Sequence, residues 1–162
     1  MIAQSQTVKI QLLERTDEYV IVAWRRLVLL IWLGDASVTG IERSRKVFEE
    51  WAKAQARGAA LLIVVPPHQA GPPDEKTREA MQRTSVSPSG KLLGMGTLFQ
   101  AEGFIAASIR SIMMRLNILS GKNALNVFGS TAAAAAWATA LLVDPELTPA
   151  GLTEAIRQAR ER

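Results

Sequence analysis

Apolar and polar positions change period several times along this chain, and each change marks an element. Residues 7–12, TVKIQL, alternate polar with apolar, the pattern of a strand with one buried face. YVIVAW (19–24) and LVLLIWL (27–33) are apolar almost throughout, as strands covered on both faces are. Arg25 and Arg26 lie between them, and the pattern leaves open a hairpin or one long bent strand. The period then becomes helical. Ile41, Ser44, Phe48, Trp51, Ala52 and Gln55 share a face, Thr39 and Glu42 have capping-box spacing, and Gly58 suits a helix end.

AALLIVVPP (59–67) reads as a central strand stopped by two prolines. Pro73, Asp74 and Glu75 open a short, exposed helix whose apolar face is little more than Ala80 and Met81. After the loop at 85–91, KLLGMGTLFQ (91–100) is a strand in which Gly94 and Gly96 either weaken pairing or admit a close neighbour. Residues 102–119 place Phe104, Ile105, Ser108, Ile109, Ile112, Met113 and Leu116 at helical spacing. In NALNVFGSTAAAAAWATALL (123–142), Ala124–Phe128 form a short strand and Gly129 a turn. Ser130 or Thr131 caps a helix that buries Trp137, Leu141 and Leu142 and lies close to the sheet through its alanines. A last helix is capped by Thr148 and begins at Pro149.

Strands alternating with helices predict an α/β fold: a mostly parallel sheet of four to six strands flanked by helices. One domain spans residues 1–143, and residues 144–162 add a C-terminal helical extension packed on it. The composition agrees, with 162 residues, 48% hydrophobic and 21% charged, enough for one self-sufficient core. Without cysteine there is neither disulfide nor thiolate chemistry. The opening MIAQSQTVKIQ has no basic-then-apolar leader, and the longest apolar run falls far short of the roughly 20 residues a membrane helix needs. A cytoplasmic protein without a membrane span is expected.

The net charge of +4 raises the question of nucleic acid, but the Lys and Arg residues are scattered and not interleaved with aromatics. No specific nucleic-acid binding is expected. His68 is the single histidine, placed after Pro66–Pro67 where open α/β sheets hold their sites. It has no second histidine or cysteine for a zinc set and no G-x-S-x-G partner motif. Gly94-Met-Gly96 lacks the third dinucleotide-binding glycine, and SGKN (120–123) lacks the rest of a P-loop. No catalytic residue, metal or cofactor is therefore predicted. Four tryptophans in a small chain suggest a homo-oligomer.

The stretches GDAS (34–37), ALLIVVPP (60–67) and NVFGSTAAAAAWATALL (126–142) together resemble the STAS domains, and most closely their SpoIIAA-like branch, also called STAS/SEC14. The aromatic-ended strand followed by an Ala- and Trp-bearing helix matches at Val127, Phe128, Ala136, Trp137 and Leu141, and the similarity covers residues 7–143. The resemblance implies a non-enzymatic bacterial regulator that binds a protein partner. Phosphorylatable members are anti-sigma-factor antagonists, switched off when a serine at the start of the helix after the second parallel strand is phosphorylated. Here that region reads PPHQAGPPDEKTREA, with no serine, Thr77 deeper in the helix, and Asp74–Glu75 as a permanently negative start. A partner face comprising Asp35, Ser37, Arg43, Lys46, His68, Asp74, Glu75 and Arg78 is expected, without the serine switch. The alternative is a carrier of an apolar small molecule or lipid, held between sheet and helix by Phe104, Ile109, Met113 and Ser130.

Overall fold

The apolar runs at 19–24 and 27–33 are the two arms of a hairpin. The computed structural model, which describes residues 7–66, 73–100 and 126–162, forms them into β2 (Tyr19–Trp24) and β3 (Leu27–Trp32). Trp24 faces Leu27, and Arg25–Arg26 make the turn. Every residue of both strands is buried, which accounts for the missing alternation. The edge strand β1 (Gln11–Arg15) pairs antiparallel with β2, later in the chain than TVKIQL predicts. Val8 is buried all the same, so the alternation there belongs to extended chain leading into the ladder. A register shift between Leu12 and Glu14 bends this edge.

Helix α1 (Val38–Ala52) is capped by Ser37, not Thr39. Ser37 Oγ accepts from Gly40 N at 2.9 Å and donates to Glu18 Oε2 at 3.0 Å, a tertiary contact that moves the helix start two residues back. The helix also ends at Ala52, well short of Gly58. Gly58 instead serves the turn into β4 (Ala59–Val65). Its φ is +75°, and a Cβ there would fall 2.8 Å from the carbonyl oxygen of Lys91, so both the backbone and the space demand glycine. Next come α2 (Glu75–Arg83), β5 (Leu92–Phe99), β6 (Asn126–Phe128), α3 (Thr131–Leu142) and α4 (Pro149–Glu161). Asp74, Ser130 and Thr148 cap the three helices.

Among the described residues, six strands lie in chain order, β1 through β6. The first two pairings are antiparallel and the remaining three parallel, so the fold is α/β with a mostly parallel sheet. Helices α1 and α2 cover one face, packing Ile41, Phe48, Ala52 and Ala80 on Ile21, Leu30 and Leu61. Helices α3 and α4 cover the other, packing their alanines, Leu142, Leu152 and Ile156 on Val22, Leu29 and Leu62. Burial along α3 corrects the expectation in part: Leu142 is buried together with Ala134, Ala135 and Ala138, while Trp137 and Leu141 are only partly buried. Gly94 and Gly96 explain it. A Cβ on Gly94 would fall 2.7 Å from Leu141 Cδ2, and one on Gly96 would fall 2.8 Å from Phe128 and 3.3 Å from Trp137. The strand glycines admit a close neighbour, and α3 is that neighbour.

Trp24 and Trp32 are buried, and Trp51 and Trp137 pack against the two core clusters. All four tryptophans are thus accommodated within one chain, and their number gives no ground for self-association. Among the described residues no helix is long and apolar enough to cross a membrane. The helix expected over 102–119 lies outside the described residues, as do His68, Phe104, Ile109 and Met113.

Candidate functional site

Apart from His68, which lies outside the described residues, the residues expected to form a partner face fall on the α1–α2 side of the sheet. Asp35 is exposed in the loop after β3, and Ser37 is committed to capping α1. Arg43 and Lys46 are exposed on α1, and Asp74 and Glu75 are exposed at the start of α2, with Arg78 partly covered. Arg43 is not a free cation: its Nη2 lies 2.6 Å from Glu14 Oε1 and its Nε 3.0 Å from the same oxygen, tying α1 to β1. Asp74 Oδ1 accepts from Thr77 N at 2.8 Å, and bonding to Thr77 holds the Asp74 carboxyl below its ordinary value. The ion pair Glu42–Arg83, 2.9 Å, joins α1 to α2. The structure therefore gathers these residues into one charged layer without drawing them into a single constellation. Ser130, expected beside a ligand groove, is exposed and caps α3 by accepting from Ala133 N.

A different group of residues does converge. At the end of the sheet where the parallel strands β3 and β4 begin, the β2–β3 turn meets the ends of α1 and α3. Arg25, Arg26, Gln55, Arg57 and the segment Val143–Glu146 line an open concavity of about 600 Å³. Arg26 binds the three connections together: its Nη1 donates to Arg57 O at 3.1 Å and Gly58 O at 3.3 Å, and its Nη2 to Leu142 O. That last bond places a cation on the unsatisfied C-terminal carbonyls of α3, where the helix dipole is negative. Arg25 reaches the other wall, with Nε 2.5 Å from Asp144 Oδ2 and Nη1 2.8 Å from Glu146 Oε2. Arg57 stays exposed at the rim.

Backbone strain singles out the same place. Among the described residues, the two non-glycine positions with left-handed backbone are Arg25 (φ 56°) and Val143 (φ 51°), and both line this concavity. A β-branched residue in that conformation is a genuine outlier. Val143 is moreover 76% exposed, so burial does not compensate it. Strain of this kind concentrates at functional surfaces. In the sequence these residues look like scattered charge, because positions 25–26, 55–57 and 143–146 come together only when the hairpin and two helix ends meet. The Arg25–Arg26 pair between two apolar runs is the one signal that points to them. Among the described residues no group of His, Asp and Glu is arranged to hold a metal ion. No family model, curated protein or solved structure matches this chain.

Proposed function

We propose that the chain is a non-enzymatic, STAS-like interaction domain of bacterial regulatory type, which docks a protein partner without a phosphoserine switch. The reading is carried by the concavity bordered by both strained residues. Three arginines face two carboxylates there, leaving one net positive charge, and an exposed valine stands at the rim. A partner segment that pairs an acidic side chain with an apolar one matches that combination. The charged α1–α2 layer, with the acidic start at Asp74–Glu75, is the second surface available to the same partner.

The test is quantitative capture of a cross-linked partner by wild type, by R57E and by D74K/E75K, with the folding of each variant checked by circular dichroism. Loss with R57E alone supports docking at the concavity. Loss with D74K/E75K alone keeps the function and moves the site. Capture unchanged in both sinks the reading. A second reading, a carrier of an apolar small molecule, draws support from one observation. Val65 and Phe99 form a small apolar cluster beside the main core, against which Ile63, Met81 and Val127 are only partly buried. Native mass spectrometry of the purified protein tests it, and a clean unliganded mass removes it.

A further inference from the structure

Among the described residues, two polar side chains on the α1–α2 side of the sheet are buried without the partners their chemistry requires. Arg45, on α1, is 7% exposed, and its Nε is buried with no hydrogen-bond partner. Its Nη1 donates to the thioether of Met95, a weak acceptor, at 3.1 Å. The guanidinium also lies 5.8 Å from the Phe48 ring centroid. Thr97, two residues beyond Met95 on β5, is 2% exposed, and its Oγ1 is likewise unpartnered. Residues two apart on a strand share a face and stand about 6.6 Å from one another. Met95, which Arg45 reaches, and Thr97 therefore lie on one face of β5, toward the C-terminal end of the strand, where ligands of open α/β sheets bind.

Glu49, one turn along α1, does not form an ion pair with the arginine. Its oxygens are taken by Ser87 Oγ at 2.6 Å and by Ser89 Oγ at 2.5 Å and N at 3.3 Å. Burial alone would raise the Glu49 carboxyl, yet these hydrogen bonds, followed by the charge of Arg45, together hold it below its ordinary value. Burial pulls the Arg45 guanidinium down, only partly offset by the charge of Glu49. A buried cation whose main partner is a sulfur is less favourable than an apolar residue of similar size. Stability does not explain an arginine at this position.

We propose that Arg45 and Thr97 bind the carboxylate of a small organic acid with an apolar tail. The planar guanidinium edge carrying Nε matches a carboxylate, and the threonine hydroxyl supplies a further donor. One cation, partly offset by Glu49, suits a monoanion; a phosphate dianion would leave a buried negative charge beside Glu49. The tail has an apolar bed, because Ile63 and Val127 flank Thr97 across the sheet, and Met81 and Phe99 lie in the same cluster. The inference rests on the carrier reading and adds the head group it selects.

The experiment measures the melting temperature and calorimetric affinity of the full chain with octanoate, 1-octanol and inorganic phosphate, in wild type, R45M and T97V. The expected result is a melting-temperature rise with octanoate and none with phosphate, about tenfold weaker octanoate binding in each variant, and an unliganded R45M at least as stable as wild type. Equal shifts from octanol and octanoate overturn the proposal and leave the carrier reading standing. No shift from either overturns both. Binding of phosphate in preference to octanoate overturns the choice of a carboxylate. Should R45M fail to fold, T97V decides: octanoate affinity unchanged in T97V overturns the proposal, and affinity lost in the folded T97V protein supports it.

Discussion

Gly151 of α4 sits directly against the indole of Trp24: a Cβ on Gly151 would fall 2.7 Å from Cζ2 and 2.8 Å from Cη2. It would also fall 3.0 Å from Thr148 Oγ1, the hydroxyl that caps the helix. Two effects oppose each other in G151A. Alanine gains up to about 1 kcal/mol of helix propensity. Overpacking against a rigid ring costs about 1–3 kcal/mol, and the balance predicts net destabilisation of about 1 kcal/mol. Urea unfolding reads the value, and a cycle with W24F should show the two substitutions to be coupled. A stabilised G151A would mean that α4 does not depend on this close approach.

Arg26 is the polar counterpart of that apolar contact. Its fork reaches carbonyls at residues 57, 58 and 142 at once, so it fixes the α1–β4 connection and the end of α3 to the hairpin. Lysine keeps the charge but cannot serve carbonyls on two sides together. R26K is expected to cost about 1.5–3 kcal/mol, the range for hydrogen bonds to a charged donor. Amide exchange should show faster opening at the C-terminal turn of α3. Unchanged stability and exchange would show that the three bonds are incidental.

How much of this is legible in the sequence depends on whether the deciding contact is local. Thr148 caps α4 as its pattern predicts, and Ser130, one of the two candidates for α3, caps that helix, because each hydroxyl bonds an amide three residues on. The start of α1 departs from its capping-box pattern because two hydroxyls, Ser37 and Thr39, compete there, and Glu18 on the preceding hairpin settles the choice. Gly94 and Gly96 announce a close approach without saying that Leu141 and Trp137 make it. The concavity is not legible, since its lining comes from three stretches with no common pattern. Its left-handed residues, an arginine and a valine, are types that do not advertise that conformation.

The Glu14–Tyr19–Arg43 group should govern stability at both ends of the pH range. Tyr19 Oη donates to Glu14 Oε2 at 2.7 Å, and Arg43 holds the other carboxylate oxygen. The Arg43 hydrogen bond, followed by that from Tyr19, holds the Glu14 carboxyl below its ordinary value against the opposing effect of burial. A depressed carboxyl stabilises the fold above its unfolded pKa of about 4.3, and the contribution is lost as the pH falls through the folded value. The melting-temperature gap between wild type and R43M should therefore be open at neutral pH and close in acid. A gap independent of pH would place the contact outside the titration.

At the alkaline end the same group acts with the opposite sign. Burial first, and Glu14 second, raise the Tyr19 phenol well above its ordinary value. The folded protein keeps it protonated while the unfolded chain ionises near pH 10, so its stabilisation is complete below that pH and declines above it. Tyr19 is the single tyrosine in the chain, so tyrosinate absorbance reports it alone. No tyrosinate signal is expected at about pH 11 while the protein remains folded. E14Q should lower the transition without restoring it to the ordinary value, because burial is the larger cause. A normal titration near pH 10 would contradict the burial of this ring.

Val143 offers the most direct test of whether strain at the concavity serves binding. Its side chain is 76% exposed, so replacing it forfeits little burial, while its left-handed φ of 51° costs about 1–2 kcal/mol in an L-residue. Glycine is the usual residue in this position after a helix. V143G should therefore stabilise the protein by about 1 kcal/mol, and V143N by less. If the valine is kept for docking, the stabilised variant should also capture less partner, the trade expected where function holds a residue in an unfavourable conformation. Thermal unfolding and partner capture, measured on the same preparations, separate the two cases. A destabilised V143G would show that the turn depends on the valine itself, and a stabilised variant with full capture would make the strain irrelevant to docking.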